Sequence, residues 1–283
     1  MWLTLLIPLA MLVIGWSLRG LPNLPVPQTR PGKLPDAHWE TKASLEVPRD
    51  DFGLAVVEGR IWVLGGMTGD RGNRLASTEI FDPVSNQWRD GPALTSGRSS
   101  FRAAAIGSTI YVFGGASAER FGIDTVEALD TRTGQWRQLD PLPVPLFGHA
   151  VVELNGTIYV IGGYSNGKGV GTVYTYEPAT NAWRQVASLP TPRYNLAAVT
   201  LGGKIYALGG WVNDEASAAV EIFDPATGSW TSGPSLPVPM SNFGAVALDG
   251  RIHAMVHKSH ALFDPRANKW IAADRMPTTR HGQ

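Results

Sequence analysis

The chain has 283 residues with 24 basic and 24 acidic side chains, so its formal net charge is zero. No Lys/Arg-rich run interrupts it, which excludes a surface that tracks nucleic-acid phosphates and hence a nucleic-acid partner. It has no cysteine, which excludes disulfides, thiolate nucleophiles and Cys-based zinc sites.

The N-terminus comes first. Residues 2–18 carry no charge and Arg19 ends the run. Seventeen residues make about 25 Å of helix, the short limit for a bilayer span. Residues 1–20 are therefore expected to be a single-pass anchor that places the protein at a membrane. A cleaved export signal is the alternative, although no Lys or Arg precedes the run and Gly15 and Ser17 make a poor cleavage site. Arg19, Arg30 and Lys33 follow the segment, a bias that favours a cytoplasmic position for what comes after; export is the opposing expectation, and the side stays open. Residues 21–36 hold five prolines and read as a stiff, extended linker.

Beyond the linker the chain repeats itself. Ile61-Trp62-Val63-Leu64-Gly65-Gly66 recurs as Ile110-Tyr111-Val112-Phe113-Gly114-Gly115, and again over residues 158–163 and 205–210. A second block, Phe81-Asp82-Pro83 followed by Trp88, recurs with Trp136, Trp183, Trp230 and Trp270. Each period reads as four strands a to d: an apolar start, the Ile-aromatic-Val-Leu-Gly-Gly run, a strand ending in a Phe-Asp-Pro turn, and a strand carrying the tryptophan. One such sheet cannot bury both faces, so sheets must stack around an axis.

Diglycine, a spaced aromatic and a tryptophan at this period resemble the kelch repeat. The resemblance covers residues 37–283 and implies an all-β, kelch-type β-propeller. Five four-stranded blades are expected, at about 49–93, 98–141, 146–188, 193–235 and 240–274. An incomplete sixth is expected too, with Trp39 on an N-terminal strand d and residues 279–283 beginning a C-terminal strand a. Exposed edges there are a possible site of self-association. The fifth repeat departs from the pattern: Val256 and His257 replace the diglycine, leaving a tight turn around Lys258-Ser259.

Two positions vary together. Strand a begins with Arg49, Arg98, Leu146, Arg193 and Met240; strand c holds Glu79, Glu127, Tyr174, Glu221 and Ala261 at the matching place. Arg and Glu are present together or absent together, so buried structural pairs Arg49–Glu79, Arg98–Glu127 and Arg193–Glu221 are expected.

The positions after each strand-a start, and the residue after each diglycine, vary freely. Kelch domains that bind peptides or proteins use this loop face. Carried over by position, the ligand-face candidates are Asp50, Asp51, Ser99, Ser100, Tyr164, Tyr194, Asn195 and Trp211; solvated turns with incidental aromatics are the plainer reading. His257 and His260 flank the fifth-repeat turn and are weak metal candidates, while His253 and His149 stand at packing positions. The tryptophans read as interblade packing. The diglycines end strands rather than open helices, so they are not phosphate loops.

No convergent acid–base set stands out, and no cofactor is expected. The sequence favours a non-enzymatic binding module that recruits a protein or glycan through its loop face. The alternative implied by the resemblance is a carbohydrate-active enzyme. Galactose oxidase relatives need a Cys–Tyr crosslink that this chain cannot form. Sialic-acid mutarotases need neither metal nor cysteine, so they remain the enzymatic comparison.

Overall fold

Each strand b is a run of β-branched and aromatic residues, and such a run is stable only where both faces are covered. In the computed structural model, which describes residues 39–69 and 72–277, these runs lie inside four-stranded antiparallel sheets. Blade 1 is built from Gly53–Val57, Arg60–Leu64, Thr78–Asp82 and Gln87–Gly91, paired in that order. Blade 2 uses Arg102–Ile106, Thr109–Phe113, Val126–Asp130 and Gln135–Leu139. Blade 3 uses Ala150–Leu154, Thr157–Ile161, Val173–Glu177 and Ala182–Val186. Blade 4 uses Ala197–Leu201, Lys204–Leu208, Val220–Asp224 and Ser229–Ser232, and blade 5 uses Gly244–Leu248, Arg251–Val256, Ser259–Asp264 and Lys269–Ala272. The protein is a five-bladed propeller without helices among the described residues.

The core lies between blades rather than within them. Leu64 and Trp62 of blade 1 pack on Ile110 and Val112 of blade 2, and Phe113 of blade 2 on Ile158 and Val160 of blade 3. The outward face of blade 1 has no preceding blade. Ala43 and Leu45 of the N-terminal segment cover it instead, packing against Phe52, Ile61, Val63 and Phe81.

Three sets of hydrogen bonds fix each blade to the next. At the rim, every strand-d indole donates to a carbonyl four residues past the preceding tryptophan: Trp136 to Pro92, Trp183 to Asp140, Trp230 to Ala187 and Trp270 to Pro234. On the loop face, the second glycine of each diglycine donates to the residue that opens the next blade, as in Gly66 N–H to Arg98 O at 2.9 Å and Gly210 N–H to Met240 O at 2.8 Å. Here glycine is required. A Cβ on Gly66 would stand 2.6 Å from the Asp50 carbonyl, and φ is +94°. Around the axis, Ser100 N–H donates to Asp51 O, Gly148 to Ser100, Asn195 to Gly148 and Asn242 to Asn195, at 2.6–3.0 Å. All five of these residues are left-handed, with φ between 48° and 61°. That conformation suits Asn, Asp and Gly far better than other residues.

The described residues do not confirm the incomplete sixth blade. Residues 39–49 form no strand, because no strand c lies beside them to supply a ladder. Yet Trp39 keeps the tryptophan rule. Its indole donates to Asp274 O at 3.3 Å, four residues past Trp270, and Trp88 donates to Ala43 O, four residues past Trp39. The segment thus bridges blade 5 and blade 1. The expected anchor (1–20), linker (21–36) and C-terminal strand a (279–283) lie outside the described residues. Among the described residues no helix is long and apolar enough to cross a membrane.

Candidate functional site

Antiparallel order puts the d–a and b–c connections at one end of every blade. At that end the b–c hairpins of blades 1, 3 and 4 extend into short ribbons: Met67–Thr68 with Asn73–Arg74, Tyr164–Ser165 with Lys168–Gly169, and Trp211–Val212 with Glu215–Ala216. Blade 2 has no ribbon. Its loop returns through a single bridge, Ala116 to Phe121, and leaves the Phe121 ring 74% exposed.

These loops assemble a row of rings across three blades. Phe121 and Phe147 have centroids 5.8 Å apart, Phe147 and Tyr164 5.1 Å, and Tyr164 and Tyr194 5.0 Å with planes at 77°. Backbone bridges hold the register: Phe147 pairs with Tyr164, and Tyr194 with Trp211. The Arg74 guanidinium lies 5.3 Å over the Phe121 ring at one end. At the other, the Tyr194 hydroxyl donates to Asp214 Oδ1 at 3.1 Å. Burial, helped by that carboxylate, pushes the Tyr194 phenol up to about 12, so it stays a donor at neutral pH. The row borders a cleft of about 680 Å³ that also takes in Gly122, Pro145, Ser165, Asn166 and Gly167.

The eight ligand-face candidates divide into three groups. Tyr164 and Tyr194 line the cleft, with Trp211 behind them on the Tyr194 backbone. Asp51, Ser100 and Asn195 belong to the axial ring. Asp50 and Ser99 are buried and backbone-paired, to Met67 and Ala116 respectively, and make no rim. Phe121, Phe147 and Asp214 were not among the candidates. Phe147 follows a strand-a start, where the free variation already pointed. Phe121 sits deeper in a b–c loop whose length differs from those of the other blades, where position-by-position comparison fails; Asp214 stands opposite Gly167 in the equally long blade 3 hairpin, a turn position that carries no signal of its own.

At the axis the Asp51 carboxyl accepts from the Ser100 hydroxyl at 3.0 Å. Burial raises its pKa, and Arg102 and Ser100 oppose the rise. The Arg102 guanidinium is itself lowered by burial, with Asp51 opposing. The three arginine–glutamate sites are ion pairs: Arg49 with Glu79, Arg98 with Glu127 at 2.7 Å, and Arg193 with Glu221. All three guanidinium groups are almost wholly buried, and each carboxylate takes further donors, such as Glu46 and Val47 N–H on Glu79 and the Thr191 hydroxyl on Glu221. Where the pair is missing, Leu146 and Tyr174, or Met240 and Ala261, are equally buried. Each pair ties the residue that opens a blade to strand c of that same blade.

The histidine expectation needs revision. The fifth-repeat turn centres on His257-Lys258, with His257 at φ 52°, not on Lys258-Ser259. This moves His260 off the turn and onto strand c. There it stacks on His253 (ring nitrogens 2.9 Å apart) and takes the edge of Trp39 at 5.7 Å. His257 and His260 do not converge, and among the described residues no group of three or more His, Asp or Glu could hold a metal.

Residues 54–257 match the family model described as the KLHDC2/KLHL20/DRC7 Kelch-repeats domain. Kelch-like protein 40a of Danio rerio is 34% identical over 133 residues, 44% of this chain and 22% of that protein. Kelch-like protein 41 of Rattus norvegicus is 29% identical over 133 residues, 45% of this chain and 22% of its own length. Alpha-scruin of Limulus polyphemus is 30% identical over 137 residues, again 45% of this chain but 15% of that protein. The match thus spans about a fifth or less of the length of these relatives.

Proposed function

Given that the chain belongs to the kelch-repeat family, we propose that it is a protein-binding scaffold whose docking site is the aromatic cleft across blades 2 to 4. The row Phe121–Phe147–Tyr164–Tyr194, exposed at Phe121 and half-buried at the other three rings, carries this reading. Large rigid rings supply contact area at small entropic cost and dominate interface energetics. Here the propeller backbone holds them in place before any partner arrives, which lowers the ordering cost of binding.

The test is affinity capture of partners by the full chain, compared with Phe147→Ala and Tyr164→Ala. Each truncation should weaken capture at least about tenfold with little change in melting temperature. Undiminished capture by both variants would remove the cleft from the reading. A glycan could stack on the same rings; a thermal shift with free sugars separates that case, since a ligand at 100 times its Kd adds about 2.7 kcal/mol.

Two finer readings go with this one. Residues 2–18 tether the scaffold to a membrane, which resistance to alkaline carbonate extraction would support and release would contradict. The seam between blade 5 and blade 1 is a place for self-association, since the inner strands neighbour one another from blade 1 to blade 5 without a comparable contact from Gly244–Leu248 back to Gly53–Val57. A monomer by light scattering at all concentrations would rule that out. The mutarotase-like alternative draws on one observation, the raised Asp51 carboxyl near the axis. The Ser100 hydroxyl already donates to it and the Arg102 charge opposes the rise, which favours a structural role.

A further inference from the structure

The aromatic row is chemically unequal at its two ends. At the blade 1 end the chain fills the position itself: the Arg74 guanidinium lies over Phe121. At the blade 4 end the rings meet a carboxylate. Asp214 is the single charged side chain among the residues lining the cleft. It is exposed, and among the described residues it forms no ion pair. Its Oδ1 accepts from the Tyr194 hydroxyl, and its Oδ2 has no hydrogen-bond donor among the described residues.

The local backbone presents this carboxylate firmly. Asn213 and Asp214 are the two central residues of a tight hairpin, with φ of 48° and 63°, closed by Val212 against Glu215 and Trp211 against Ala216. Two consecutive left-handed residues are what a two-residue hairpin with native strand twist requires, and Asn and Asp tolerate them. Tyr164 and Tyr194 meet at 77°, so the corner beside Asp214 has two aromatic walls nearly at right angles.

Every feature of that corner attracts a cation. Ring faces carry negative quadrupole density, and a carboxylate adds a full charge. Anions meet the reverse. A guanidinium suits the corner better than an ammonium, because it can lie flat on one ring while its in-plane N–H groups reach the carboxylate. We propose that the Tyr164–Tyr194–Asp214 corner receives an arginine side chain from the docked protein, in the way Phe121 already receives Arg74. This rests on the cleft being the docking site, and it names the chemistry of the partner.

The experiment selects peptides from a random 12-residue display library on the full chain, and measures the Kd of retained peptides. Enrichment of arginine is expected. Replacing that arginine by citrulline should weaken binding about tenfold, and so should Asp214→Asn. The two changes together should cost little more than either alone. Retained peptides that lose binding with Phe147→Ala or Tyr164→Ala, yet show no arginine enrichment or ignore Asp214→Asn, would overturn the arginine assignment and leave the docking cleft standing. Peptides indifferent to Phe147→Ala and Tyr164→Ala would overturn the docking cleft itself, and a library yielding no retained peptide would count against both.

Discussion

The buried ion pairs invite a swap experiment that uses the protein's own alternatives. In blade 4 the Arg193 guanidinium is fully buried and bonds to Glu221, Thr191 O and Ala207 O. Glu221→Ala leaves that charge with two neutral carbonyls, and an unpaired buried charge costs about 3–5 kcal/mol. At about 2–4 °C per kcal/mol for a domain of this size, the melting temperature should fall by roughly 6–20 °C. Blade 5 solves the same position with Met240 and Ala261, both buried. The double variant Arg193→Met, Glu221→Ala copies it into blade 4. It orphans the Thr191 hydroxyl, which loses its Glu221 acceptor, and takes the guanidinium from the Thr191 and Ala207 carbonyls, about 1 kcal/mol for each lost bond. The double variant should therefore be no more than about 3 kcal/mol below wild type and more stable than Glu221→Ala alone. Thermal melts and urea titrations of the full chain measure this directly. If the double variant is as unstable as the two single losses added together, the pair is not a self-contained unit and the reasoning fails.

Two further predictions test the seams between blades. His149 is fully buried, and burial with the nearby Arg102 holds its pKa down to about 3, with the Phe113 backbone opposing. A depressed pKa gives stability that is present above the unfolded value near 6.5 and lost as pH falls toward 3; His149→Phe, the residue at the same place in blades 1, 2 and 5, should remove up to about 5 kcal/mol of that acid loss, and an unchanged pH slope would refute it. Trp39→Phe keeps an aromatic edge for His260 but removes the indole donor, so amides of Lys269–Ala272 should exchange roughly fivefold faster, for about 1 kcal/mol, while those of blade 3 hold; equal rates throughout would mean the bond to Asp274 holds nothing.

The repeat made the blades legible because it repeats a physical requirement. The diglycine must admit the next blade's carbonyl, the tryptophan must reach back to the previous one, and both leave a residue type at a fixed interval. The same logic explains blade 5: no described blade follows it, and Val256 and His257 stand where the glycines would. The arginine–glutamate positions could be read for a similar reason, since both partners sit in strands whose register the repeat fixes. The cleft was legible only in part. Tyr164, Tyr194 and Phe147 stand at repeat positions, but Phe121 sits in a loop of its own length and Asp214 at a turn position that is glycine in the matching hairpin of blade 3. The His257–His260 expectation failed by one residue of turn register, enough to carry His260 to a different neighbour.

Trp39 has a mechanical meaning. A pull on the chain from its N-terminal side would reach the propeller first through the indole on Asp274 of blade 5, and then through Ala43, held by Asn86 and Trp88 of blade 1. Load would therefore be shared by the two blades that flank the open seam, drawing them toward the same segment. Blades 2 to 4, which carry the aromatic row, would lie away from the loaded contacts. A tether at that end could bear tension without deforming the surface it presents.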